Sequence, residues 1–168
     1  MKTSEVLDDA FVRIGDSVTA VLKGLGPAEL NLRPGGTGNP IAWLVWHLSR
    51  VQDTHIAGAA GLDQVWTSQG FAERFGFPLK PRDTGYGHTS RQVSSIQVDS
   101  GDLLLEYHRA VLGRTLEFIR PLDGADLDRV VDESWDPPVT LGVRLVSVIG
   151  DCLMHVGQAA YVRGLPAG

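Results

Sequence analysis

The sequence predicts an all-α chain, a four-helix bundle in which a long irregular connection joins the second and third helices. Three observations carry that reading. Apolar residues recur at helical spacing in four separate stretches, glycine and proline punctuate the gaps between them, and strand-like alternation is confined to the short run Arg91 to Val98. At 168 residues, 43% of them hydrophobic, the chain can build one sizeable core, and no linker divides it, so residues 1–168 are expected to form a single domain.

The first helix is marked by Leu7, Phe11, Ile14, Val18, Val21 and Leu25, one apolar stripe that Gly26 and Pro27 end. A turn-rich stretch holding Gly35, Gly36 and Gly38 leads to Asn39 and Pro40, which read as an N-cap followed by proline at the first helical position. The second helix is therefore placed from about Pro40 to about Ala59. Residues 61–99, interrupted by Gly61, Gly70, Gly76, Pro78, Pro81, Gly85 and Gly87, have no sustained period and read as a connection with short helical turns. Leu104, His108, Val111, Thr115, Phe118 and Leu122 mark the third helix, with Pro121 at its end. After a turn at Asp132 to Pro138, Thr140 can cap a last helix running to about Arg163, with Gly164 as its stop. That helix is apolar nearly all round, from Leu141 to Val156, and is expected to be the most buried.

A formal charge of −5 leaves no basic stripe for phosphate backbones or anionic lipid, so neither nucleic acid nor a membrane surface is expected as a partner. The single cysteine, Cys152, cannot form a disulfide within the chain and suits a reducing compartment. The opening MKTSEVLDDA carries acid early and has no continuous apolar run, so it does not read as a secretory signal. No stretch reads as the roughly 20 apolar residues of a membrane span, and a cytoplasmic protein is expected.

Two of the five histidines fall inside apolar helices: His47 in IAWLVWHL and His155 in DCLMHVGQ. Asp151 precedes His155 by one helical turn, which sets carboxylate and imidazole on one face, about 5 to 6 Å apart at Cβ. A buried aspartate keeps its charge only beside a donor, a cation or a metal. Two imidazoles and a carboxylate suit a divalent ion such as zinc, nickel or iron and leave positions open for water or substrate. The same residues are also compatible with a plain Asp151–His155 ion pair and a His47 bonded to a backbone carbonyl, a buried polar network without metal.

At these residues the sequence resembles the DinB-like superfamily, which includes the YfiT-like bacillithiol transferases and the mycothiol-dependent maleylpyruvate isomerases. The matching segments are NPIAWLVWHLSRVQD, behind a glycine-rich approach, and DCLMHVGQAAYVRG, with its histidine just before a Gly-Gln pair. The resemblance implies a four-helix bundle, often a homodimer, with a three-histidine divalent-metal site at one end. The helix-two histidine of that site is His47 and the last is His155; the ligand one turn before the last is Asp151 here, a shorter and anionic side chain. It further implies that the metal activates a low-molecular-weight thiol for transfer to a small-molecule electrophile. A coordinated thiol loses its proton well below its ordinary pKa of about 8.5, so no protein nucleophile is required.

Gln158 shares the face of Asp151 and His155 and can orient a ligand from the outer shell. His55 lies about 80° round the helix from His47, at the rim of the same cleft or on the surface. Trp43 is either core or a wall of the cleft. His88 and Tyr86, in RDTGYGHTS, read as a solvated turn rather than a flap over the bundle mouth. His108 reads as a satisfied histidine at a core edge, and Cys152 as a small buried hydrophobe. Gly35, Gly36 and Gly38 are not a phosphate loop, because no Lys-Ser/Thr pair follows and no strand precedes them.

Overall fold

Helix α1 (Thr3–Leu22) turns Leu7, Phe11, Ile14, Val18 and Val21 inward, as its apolar spacing requires. The structure is a computed structural model that describes residues 2–165. The helix stops at Leu22, earlier than Leu25, because Gly24 takes φ +75° and the chain re-enters a short helix, α2 (Pro27–Asn31). A 3₁₀ turn at Pro34–Gly36 leads to α3 (Ile41–Ala60), where Pro40 is the N-cap, one residue later than expected, and Asn39 makes no cap bond. Gly61 at φ +68° closes α3 in the left-handed conformation.

Between the second and third long helices lie three short ones, α4 (Val65–Ser68), α5 (Phe71–Phe75) and α6 (Ser90–Ser94); the last takes in the first half of the alternating Arg91 to Val98 run, and the rest is irregular rather than strand. Thr89 caps α6 by accepting from Gln92 N–H, which outweighs the weak period-two pattern. Helix α7 (Asp102–Ile119) precedes a two-stranded antiparallel ribbon, β1 (Val130–Asp132) with β2 (Val139–Thr140), which places Val130 opposite Thr140. Strands this short carry no readable alternation. Thr140 caps α8 (Leu141–Gly164) through Val143 N–H.

The four long helices form a ring, α1 against α7 and α8, α3 against α7 and α8. Where α1 and α7 meet, Gly15 fits because a Cβ there would lie 2.6 Å from Leu112. The most buried helix is α3, contrary to the expectation for α8. Every residue from Pro40 to Arg50 is buried, because the 61–99 connection covers the side of α3 that the bundle leaves open: Trp66 and Phe77 lean on Trp46. No such cover reaches α8. Its Leu145, Val148, Cys152 and Val156 enter the core, while Val143, Val146, Leu153, Met154 and Tyr161 are exposed on its outer side. Also contrary to expectation, α8 is by length and composition apolar enough to cross a membrane; here it lies in the bundle against α1 and α3.

Candidate metal centre

His47 on α3 and Asp151 and His155 on α8 meet across the seam between the two helices. One nitrogen or oxygen from each lies within 4.8 Å of the others. The His47 and His155 ring centroids are 4.6 Å apart in an edge-on arrangement.

The outer nitrogen of each imidazole is already engaged. His47 Nδ1–H donates to Thr84 carbonyl oxygen at 2.5 Å, and His155 Nδ1–H donates to Gln158 Oε1 at 3.0 Å. These acceptors assign the proton to Nδ1 in both rings, so each Nε2 presents a lone pair inward. Asp151 Oδ1 stands 3.6 Å from His155 Nε2, too far for a hydrogen bond, and Asp151 Oδ2 is buried with no partner among the described residues. One ligand atom from each of the three residues thus converges within 4.8 Å, and the second carboxylate oxygen of Asp151 is left without a hydrogen-bond donor among the described residues. Two imidazoles and a carboxylate form a donor set that can hold a divalent metal ion. The 3.6 Å separation is within ion-pair range but beyond hydrogen-bond range, and His47 is bonded to the Thr84 backbone carbonyl, so both contacts of a metal-free polar network are also present.

Burial pushes the His47 pKa down, opposed by its bond to the Thr84 carbonyl and assisted by the neighbouring His155. A neutral imidazole is the form that ligates.

The surroundings of His47 come from the long connection. Gly85, at φ +91°, lies directly against the ring: a Cβ there would sit 2.8 Å from His47 Nδ1 and 3.0 Å from Trp46. Trp43 stacks on His47 with centroids 4.6 Å apart and planes 16° from parallel, so it is a wall of the site as well as core. Its Nε1–H donates to His88 Nδ1 at 3.1 Å, and His88 Nε2 in turn meets Asp83 Oδ1 at 2.9 Å. The His88 side chain is therefore buried, correcting the solvated-turn reading, whereas neighbouring Tyr86 is exposed and does not cover the site.

One turn after His47, Arg50 is fully buried. Its guanidinium donates to Asp83 and Pro81 carbonyl oxygens, to Gln64 Oε1 and to Tyr107 Oη, and pairs with Asp53. Asp53 also accepts from Val65 N–H, Trp66 N–H and Tyr107 O–H, each at 2.8 Å. The start of the connection, at Gln64 to Trp66, and its middle, at Pro81 and Asp83, are thereby tied to α3, which holds Thr84 and Gly85 against His47. Sequence reasoning missed Arg50, Asp53, Asp83, Thr84 and Gly85, although an arginine and an aspartate three apart in a helix with so apolar a start were a visible signal.

Gln158 Oε1 lies at hydrogen-bond distance from His155 Nδ1. His55 stands outside the trio, where its Nδ1 accepts from Arg144 Nη1 at 3.2 Å, and Arg144 also pairs with Asp132. Burial, then Arg144, lowers the His55 pKa. Cys152 is buried, and its thiol is pushed upward by burial and by Asp151, so it is no nucleophile.

A helical bundle with a His/Asp trio set between two of its long helices defines the class, and the comparisons with known proteins place the chain within it. The chain belongs to the DinB superfamily, whose family description matches residues 10–159. It is similar to a conserved protein from Enterococcus faecalis known from a crystal structure, with TM-score 0.90 and 32% sequence identity over 97% of this chain and 96% of that one. No curated protein matches the sequence.

Proposed function

We propose that this chain is a divalent-metal-dependent enzyme that transfers a low-molecular-weight thiol to a small-molecule electrophile. The observation that carries the reading is the convergence of one ligand atom each from His47, Asp151 and His155 within 4.8 Å, with both imidazole Nδ1 atoms bonded elsewhere and Asp151 Oδ2 buried without a partner among the described residues. His47, Asp151 and His155 would hold the ion. When bound, a divalent ion there supplies Lewis acidity that keeps a thiol ionised at neutral pH. The chain's own contribution is positional: Thr84 and Gln158 orient the imidazoles, and Trp43 shields one side from water. Cys152, buried and held protonated, takes no part.

A cytoplasmic homodimer completes the proposal. The outward residues Val143, Val146, Leu153 and Met154 of α8, without a charge among them, offer a face on which a second copy can seat without like charges meeting.

The test is elemental analysis of protein purified without chelator or nickel resin, beside His47→Ala and Asp151→Ala variants. Near-stoichiometric metal in the wild type and its loss from both variants are expected, followed by metal-dependent consumption of a thiol in the presence of an alkylating substrate. A metal-free wild type that resists reconstitution would leave the trio as a buried polar network in a non-catalytic bundle.

A further inference from the structure

Beside the trio, between the start of α3 and the end of α8, lies a groove of about 530 Å³. Leu44 forms its inner wall, Tyr161 and Val162 one side, Asn39 the rim, and Gly157 and Gln158 the edge towards His155. No lining residue is charged. The volume is in the range of pockets that take drug-sized ligands, and burying an ionised group there without a counter-charge would be costly. Gln158 joins the groove to the metal centre. Its Oε1 is occupied by His155 Nδ1–H, so the remaining capacity of that amide is its Nε2 donor pair. Gly157 leaves the groove open: a Cβ built there meets nothing within 4 Å, so chain packing does not demand glycine at this mid-helix position, where it costs about 0.5–1 kcal/mol relative to alanine.

We infer that this groove binds the electrophile, and that its ligands are uncharged, largely apolar carbonyl compounds whose oxygen accepts from Gln158. This deepens the proposed function and rests on it only for the chemistry that follows binding. Hydrophobic contact with Leu44, Val162 and the Tyr161 ring supplies the affinity, and the Gln158 amide sets which end of the ligand points at the metal centre.

The experiment titrates three probes by saturation-transfer NMR, with metal content measured on the same samples. The probes are the uncharged enone 4-phenylbut-3-en-2-one, cinnamate as its anionic counterpart, and β-methylstyrene, which lacks the carbonyl. The enone is expected to bind wild type at least about tenfold more tightly than either of the others. Gly157→Leu, which fills the groove, and Tyr161→Asp, which sets a charge at its exposed side, should each weaken the enone by about tenfold or more with metal content unchanged. Gly113→Leu, an equally open glycine on α7, should leave it alone. Equal enone binding in both groove variants, preference for cinnamate, or no enone binding by the metal-loaded wild type would overturn the inference. Enone binding that fails in Gly157→Leu while the wild type holds no metal would support the groove and sink the thiol-transfer reading.

Discussion

Acidification should destabilise this protein before its carboxylates titrate, and one residue accounts for much of the effect. His108 on α7 is completely buried, hydrogen-bonded through Nδ1 to Ser49 Oγ at 3.0 Å, with no partner for Nε2 among the described residues. Burial lowers its pKa from 6.5 to about 4. A depressed histidine pKa means that between those values the unfolded chain binds the proton and the folded chain does not, so stability is full above 6.5 and lost as pH falls towards 4. At about 1.36 kcal/mol per pH unit, the shift is worth about 3 kcal/mol in total, of which about 2 kcal/mol is gone by about pH 5. Urea unfolding followed by circular dichroism at about pH 7.5 and about pH 5, in chelator so that the metal centre does not contribute, measures the difference. His108→Leu is the control, since Ser49 Oγ keeps its bond to Val45 carbonyl oxygen at 2.8 Å and is not orphaned. The variant should lose about 2 kcal/mol less than wild type over that interval. His47 and His55 are also lowered by burial, so a residual slope of the same sign remains. Equal losses in the two proteins would refute the assignment to His108.

Gly85→Ala, which alters no ligand, should displace the His47 ring and reduce metal occupancy, read by elemental analysis, because the added Cβ would fall 2.8 Å from Nδ1 on a backbone at φ +91°. Gln158→Leu removes the acceptor that holds His155 and should weaken metal binding about 10–100-fold in a competition titration with a chromogenic chelator. Arg50→Met leaves Asp53 buried without its cation, and should cost about 3–5 kcal/mol in chemical unfolding; a loss under about 1 kcal/mol would show that its backbone donors and Tyr107 suffice. Thr140→Ala removes the cap of α8 and should cost about 1 kcal/mol, measured the same way.

The helices were legible because their apolar spacing is imposed by a core on one side. So was the placement of His47, Asp151 and His155 near one another, since Asp151 and His155 share a turn of one helix and a histidine amid tryptophans has few places to go but inward. What the sequence hid was the relation between burial and cover. Composition made α8 look the most interior helix, yet burial is decided by neighbours, and the neighbour that completes the enclosure of α3 is an irregular connection with no period to read. For the same reason the residues that hold His47, Thr84 by its carbonyl and Gly85 by its lack of a side chain, act through backbone features that residue identity barely signals. Arg50 and Asp53 were readable as an anomaly in an apolar helix, but their partners, Pro81, Asp83, Gln64 and Tyr107, are set by tertiary structure alone.

The stacking of Trp43 on His47 gives the protein an optical property. An indole lying face-on to His47 would report a metal held by that ring. An open-shell ion such as nickel or iron would quench its emission, while closed-shell zinc would leave most of it. The Trp43→Phe difference spectrum isolates this signal from Trp46, Trp66 and Trp135. A metal held by the trio would therefore be reported, in occupancy and in kind, by the protein's own fluorescence, without adding a dye.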